Sequence, residues 1–299
     1  MKPSAIETVI RPVTHDLGAF KVRRSLPSRG RTMVGPFIFV DQFGPARLAP
    51  GEGMDVRPHP HINLATVTYL FDGAIDHRDS LGSCQRIERG AINLMTAGRG
   101  IVHSERSPGD QRAAGPGFYG MQTWLALPDG KEEVEPAFEH VADSELPTVD
   151  GEGIRATVLM GELFGVRAAT TCHSPTIYAD LILDSRASLA IDSTADERAI
   201  LLTEGEATLD EVPVALFDLI VIAPGHRPIL RASRPSRVML LGGGTFQTPR
   251  HVFWNFVSSS RERIDQAKAD WRAGIFPTIP GDDKEFIPIP DVPKTVSYL

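Results

Sequence analysis

Four residues in this chain could act together on a metal ion: His59, His61, His103 and Glu105. They fall in two short pairs, His59-Pro60-His61 and His103-Ser104-Glu105. On a β-strand, residues i and i+2 point to the same face, so each pair can aim two side chains at one point. Two such strands side by side would offer three imidazole nitrogens and one carboxylate to a single ion. That donor set suits a first-row transition metal better than Ca²⁺ or Mg²⁺, and it leaves coordination positions free for water, O₂ or substrate. A lone HxH is common in surface loops as solvated or hydrogen-bonded imidazoles. The second pair and the glycine-rich β context around both separate this case from that one.

Strand-like segments must position these side chains. Residues 65–71, Ala-Thr-Val-Thr-Tyr-Leu-Phe, are rich in β-branched and aromatic types and run into Asp72-Gly73, a hairpin signal. Residues 118–127 and 199–203 have the same character. With 27 Gly and 24 Pro spread along 299 residues, the pattern is an all-β barrel or sandwich, without alternating βα units. A faint repeat points to two related barrels. Phe71-Asp72-Gly73 leads to an apolar run ending in Ala97-Gly98, and Thr203-Glu204-Gly205 leads to another ending in Ala223-Pro224-Gly225. The junction is expected in the acidic, proline-containing stretch 129–153.

The repeat also speaks to the metal. Setting Gly98 on Gly225 without gaps puts Leu230 opposite His103 and Ala232 opposite Glu105. Setting Gly73 on Gly205 puts Ile191 and Ser193 opposite His59 and His61. None of the four can replace the ligands, so the second barrel is expected to be metal-free, with His173 and His226 as loop histidines. The expected division is an N-terminal metal-binding domain over 1–135 and a C-terminal metal-free domain over 136–299. A capping box, Ser259-x-x-Glu262, opens one short C-terminal helix carrying Ile264, Ala267 and Trp271 on one face and stopped by Gly274. The proline-rich tail from Phe276 is expected to be an extended strap.

Composition sets the outer limits. Hydrophobic content of 41% and charged content of 23% are those of a globular protein with material for a core. The net charge of −7 argues against non-specific binding to nucleic acid or anionic membrane. No apolar run is long enough to span a bilayer, and the first residues lack the apolar core of a secretory signal. Cys84 and Cys172, without CxxC spacing, are expected to be reduced thiols, and the expected location is cytoplasmic.

Taken as a set, the motifs resemble the pirin family. The resemblance is carried by Val34-Gly35-Pro36-Phe37 with Asp41, Pro58-His59-Pro60-His61, Thr66-Val67-Thr68-Tyr69, His77-x-Asp79-Ser80-x-Gly82, and Met95-Thr96-Ala97-Gly98-Arg99-Gly100-Ile101-x-His103-x-Glu105. Pirins are two-domain proteins of the cupin superfamily, so the resemblance implies two jelly-roll cupin domains, a bicupin. It implies Fe(II) on His59, His61, His103 and Glu105, with Mn, Ni, Cu, Zn or Co as other divalent occupants of such a donor set. It also implies quercetin 2,3-dioxygenase activity on a planar flavonol with O₂, in which Glu105 takes the 3-hydroxyl proton. Animal pirins are nuclear iron-dependent transcriptional cofactors, so an iron-responsive protein that binds a protein partner without turnover stands beside the enzyme reading. Another cupin reaction on a small acid is a third. A monomer is expected, each barrel's apolar face being covered within one chain.

Several neighbours carry a functional and a structural reading each. Asn63 stands where pirins usually carry Gly, and could narrow the pocket or bond a metal-bound water. Asp55 and Arg57 could hydrogen-bond the ligands or lie in a solvated loop. His77 fits a structural hydrogen bond better than a fifth ligand. Tyr69, Met95 and Trp124 read as pocket or core wall. Gly98 and Gly100 read as the turn that carries His103 into place, with no phosphate-cradle context.

Overall fold

The computed structural model describes residues 4–17, 20–191 and 195–291. It is all-β, with two short α-helices and one 3-10 turn among those residues. No described helix is long and apolar enough to cross a membrane. The chain forms two compact units, and each draws on separated segments. One takes Asp16–Val22, Phe43–Asp143 and Gln247–Leu299, and the other takes Met1–His15, Arg23–Gln42 and Ser144–Phe246. The units therefore interleave along the chain, where a single cut after residue 135 was expected. The physical reasons are local to each unit. Strand Ile6–Ile10 pairs antiparallel with Leu219–Ile222, and the Arg261–Arg272 helix buries Ile264 and Ala267 against Val56, Ile62, Trp254 and Phe256.

The unit holding the histidines has a four-stranded sheet in the order Asp55–His61, Ile101–Arg106, Ala74–Asp79, Cys84–Glu88. Its other sheet runs Ala137–Val141, Ile92–Thr96, Leu64–Asp72, Gly117–Ala126. Asp72-Gly73 is not a hairpin, because Leu64–Asp72 pairs with Ile92–Thr96 and Gly117–Ala126, and Ala74–Asp79 pairs in the other sheet. The turn instead carries the chain from one sheet to the other. Gly73 sits at φ +87°, and a Cβ there would lie 2.3 Å from the Gly117 carbonyl oxygen, which requires glycine.

The helix begins one residue later than the capping box suggests. Ser260 is the N-cap, its hydroxyl accepting from Arg263 N–H at 3.2 Å. Ser259 instead holds Glu132 through its backbone N–H and hydroxyl. The described part of the tail, residues 276–291, is a strap. Ile287 N–H donates to the Pro58 carbonyl, Trp271 Nε1–H to the Ile287 carbonyl, and Asp282 accepts from Ser104 and Arg106.

The second unit repeats the four-stranded sheet as Ser188–Ala190, Ile229–Ala232, Ala207–Leu209, Val212–Val214. Pairing registers align the two sheets residue by residue. His103 lies opposite His59 and Asp79, while Leu230 lies opposite Leu189 and Leu209. Glu105 lies opposite His77, while Ala232 lies opposite Ala207. Leu230 and Ala232 thus match His103 and Glu105, as the ungapped repeat predicts. His59 corresponds to Leu189, so the ungapped register is two residues off on that side and Ile191 falls at the place of His61. Ser193 lies outside the described residues. Leu189, Ile191, Leu230 and Ala232 join one apolar core and carry no donor atom in their side chains.

Candidate metal centre

The strands Asp55–His61 and Ile101–Arg106 are antiparallel neighbours, with His103 directly opposite His59 and Ile101 opposite His61. The i, i+2 spacing therefore does what strand geometry demands, and one potential ligand nitrogen from each of His59, His61 and His103 lies within 4.8 Å of the others. All three rings are buried, at 6%, 1% and 1% exposure. Trp124 meets the His61 ring edge-on at 5.0 Å, and Tyr69 and Met95 are core.

Hydrogen bonds decide which nitrogen each ring offers. His59 Nδ1–H donates to the Arg57 carbonyl at 2.8 Å, which leaves its Nε2 as a lone pair. His103 Nδ1 faces His77 Nδ1 at 3.4 Å, and His77 Nε2 faces Asp79 Oδ2 at 3.1 Å. His61 Nδ1 has no hydrogen-bond partner among the described residues. His61 Nε2 and His103 Nε2 approach to 3.1 Å. At that distance either one ring donates to the other or both nitrogens turn lone pairs to a shared positive ion. Nitrogens at metal–N distances of about 2.1 Å and adjacent positions of an octahedron lie roughly 3 Å apart, so the separation suits a shared ion.

Burial pushes the His59 pKa down to about 4, with repulsion from His77 adding and the Arg57 carbonyl opposing. It holds His61 and His103 well below the usual imidazole range as well, with mutual repulsion adding. Neutral imidazoles are the form a metal needs.

Glu105 stands apart from this cluster. It is buried on the same strand, beyond a register irregularity after His103, and it does not belong to the group of mutually close donors. The Gln122 amide donates to both of its oxygens at 3.0 Å, and the Thr68 hydroxyl to one at 3.4 Å. Burial pushes its pKa up, and the hydrogen bonds from Gln122 and Thr68 oppose the rise only in part. Glu105 and Gln122 line a cavity of about 130 Å³ whose other walls include Phe20, Phe43, Ile75 and Phe118.

The neighbours weighed from sequence divide cleanly. Arg57 contributes its carbonyl to His59, whereas Asp55 pairs with Arg112 at the surface. His77 hydrogen-bonds Asp79 and stacks on Phe138 at 4.4 Å. Asn63 turns its amide nitrogen toward residues 132 and 133. It sits at φ +56°, where glycine is usual and Asn is tolerated, and its amide donates to Glu133 Oε1 and the Glu132 carbonyl. Gln122 and Thr68 were missed. Their inward positions follow from strand alternation, but only the cross-strand pairing of Gln122 with Thr68 brings them together over Glu105.

Comparison with known proteins agrees with this geometry. A family model described as Pirin matches residues 19–125, and one described as Pirin C-terminal cupin domain matches residues 178–277. A pirin-like protein of Caulobacter vibrioides is 44% identical over 289 residues, covering 96% of this chain and 100% of that protein. Pirin of Rattus norvegicus is 28% identical over 279 residues, covering 91% and 92% of the two chains. The crystal structure of a quercetin 2,3-dioxygenase from Acinetobacter baumannii superposes with a TM-score of 0.88 at 32% identity, covering 96% of each chain.

Proposed function

The chain belongs to the pirin family of two-domain cupins, and from that premise we propose that it is an Fe(II)-dependent quercetin 2,3-dioxygenase. The observation that carries the reading is the convergence of three buried imidazoles, with a buried carboxylate further along one of the same strands lining an apolar cavity. His59, His61 and His103 would hold the ion and Glu105 would complete the set. Bound iron supplies a Lewis acid for the flavonol 3-hydroxyl and a redox partner for O₂.

The chain's own residues then have defined tasks. Glu105 takes the 3-hydroxyl proton, and burial makes it a stronger base than an exposed carboxylate. Gln122 and Thr68 hold both of its oxygens in place. The aromatic and aliphatic walls exclude water, which strengthens every charge interaction inside. The overall reaction adds O₂ across the central ring and releases a depside and carbon monoxide. The partners are a planar aromatic substrate and O₂, with the protein acting in the cytoplasm as a monomer.

One observation favours a second reading, an iron-responsive regulatory protein without turnover. The cavity beside Glu105 is about 130 Å³, well below the roughly 300 Å³ at which sites for drug-sized ligands begin. Oxygen uptake with quercetin, by protein loaded anaerobically with Fe(II), separates the two. Uptake and carbon monoxide release that vanish in His61→Ala support the oxygenase. No uptake by wild type that holds one iron sinks it and leaves the regulatory protein.

A further inference from the structure

We propose that Asp79 and His77 are positioning residues that fix the tautomer of His103 and so present its Nε2 to the metal; this rests on the metal-site reading above. The three side chains form a buried line, at 0%, 2% and 1% exposure. Asp79 Oδ1 accepts from Leu81 N–H at 2.9 Å and Ser83 N–H at 3.0 Å, which anchors the carboxylate. Burial works against its ionisation, but hydrogen bonds from His77 and Ser83 outweigh burial and keep it charged.

An ionised carboxylate only accepts, so its Oδ2 requires a proton on His77 Nε2, 3.1 Å away. In neutral His77 the other nitrogen, Nδ1, is then a lone pair. It lies 3.4 Å from His103 Nδ1, which must therefore carry the proton. His103 Nε2 is left bare on the side where His59 and His61 converge. Stacking on Phe138, with ring planes 16° apart, keeps His77 from rotating away.

The second unit supplies an independent observation. The positions of His103, His77 and Asp79 are occupied there by Leu230, Ala207 and Leu209. Where the metal ligand is gone, the two residues behind it have gone apolar as well. A merely structural His–Asp pair has no reason to follow the ligand in this way.

The test uses Co(II) bound to the full-length protein, with affinity from chelator competition and ligand-ring N–H protons read as hyperfine-shifted NMR signals. Asp79→Asn is nearly isosteric. Its carbonyl stays with the two backbone N–H groups and its NH₂ faces His77, which forces the His77 proton to Nδ1. His103 must then protonate at Nε2. Co(II) binding should weaken roughly 10- to 100-fold and the His103 Nδ1–H signal should disappear. His77→Gln keeps an acceptor for His103 and a donor for Asp79, so it should bind within a few-fold of wild type. His77→Leu should fail as Asp79→Asn does, and this pair decides the matter if the Asp79 variant does not fold. Wild-type affinity and signals in Asp79→Asn and His77→Leu would overturn the proposal. So would a His77→Gln protein as weak as His77→Leu, which would reduce His77 to packing. Equal Co(II) binding by wild type and His61→Ala would overturn the metal site itself, a distinct result.

Discussion

Gly98 makes one of the closest backbone approaches in the histidine-bearing unit, and replacing it with alanine should be expensive. Gly98 has φ +49°, and an added Cβ would lie 1.9 Å from the Val134 carbonyl oxygen and 2.8 Å from its carbon. A left-handed conformation costs a non-glycine residue about 1–2 kcal/mol. Moving the Val134 carbonyl breaks its 3.0 Å bond from Arg99 N–H, worth about 1 kcal/mol. Displacing packed backbone adds about 1–3 kcal/mol. The total, about 3–6 kcal/mol, is a large part of the roughly 5–15 kcal/mol that holds a typical domain together. Gly82→Ala is the control, since Gly82 also has positive φ, +91°, but nothing within 4 Å of its would-be Cβ. Urea unfolding of the two variants separates close approach from backbone conformation. Gly98→Ala no less stable than Gly82→Ala would refute the reasoning. The same substitution should weaken metal binding, because Gly98 also accepts from Asn63 N–H at 2.7 Å and leads into the strand bearing His103.

Metal-free protein should lose stability as pH falls from about 6.5 to 4. The folded state holds the His59 pKa down to about 4 from 6.5, so the unfolded chain binds the proton first. For His59 alone the loss approaches about 3 kcal/mol, and His61 and His103 act in the same direction. Chelator-treated protein unfolded in urea at several pH values tests this, and a flat profile across the window would contradict it. Phe20 forms one wall of the Glu105 cavity and packs on Phe118 with centroids 4.7 Å apart. Phe20→Ala should raise kcat/KM for quercetin severalfold by widening a cavity now closer to benzene-sized than flavonol-sized. Unchanged kinetics would show that Phe20 does not limit entry.

The three histidines were legible because their signal is local. Strand periodicity forces i and i+2 onto one face, and nothing else in the fold needs to be known. The partner strand followed from the second pair, and its antiparallel register confirms it. Features set by distant chain were less visible. Glu105 lies on the predicted strand, yet Gln122 and Thr68, on the other sheet, determine where its oxygens sit. Asp72-Gly73 carries a hairpin composition, but turn chemistry does not say which sheet the next strand will join. The helix face was readable from Ile264 and Ala267. Its placement beside Val56 and Ile62 was not, because that depends on contacts across some 200 residues of chain. The repeat gave the second unit's apolar positions correctly at Leu230 and Ala232. It slipped by two at Leu189 because the connection there is longer, and ungapped comparison cannot see an insertion.

The two units carry a buried donor cluster in one and apolar residues at the matching positions in the other. Burying imidazoles, a carboxylate and the Asp79–His77 pair costs free energy that an apolar core does not, since each polar atom must find a partner. His59 and His103 have theirs at Nδ1, and a single ion would engage the remaining nitrogens of both together with His61. Removing one ligand leaves the others buried at full cost, so intermediate sets are unstable and the apolar set in the second unit is the other stable end. An ion on these three histidines should therefore raise stability by RT ln(1 + [M]/Kd), and a chelator should remove that gain.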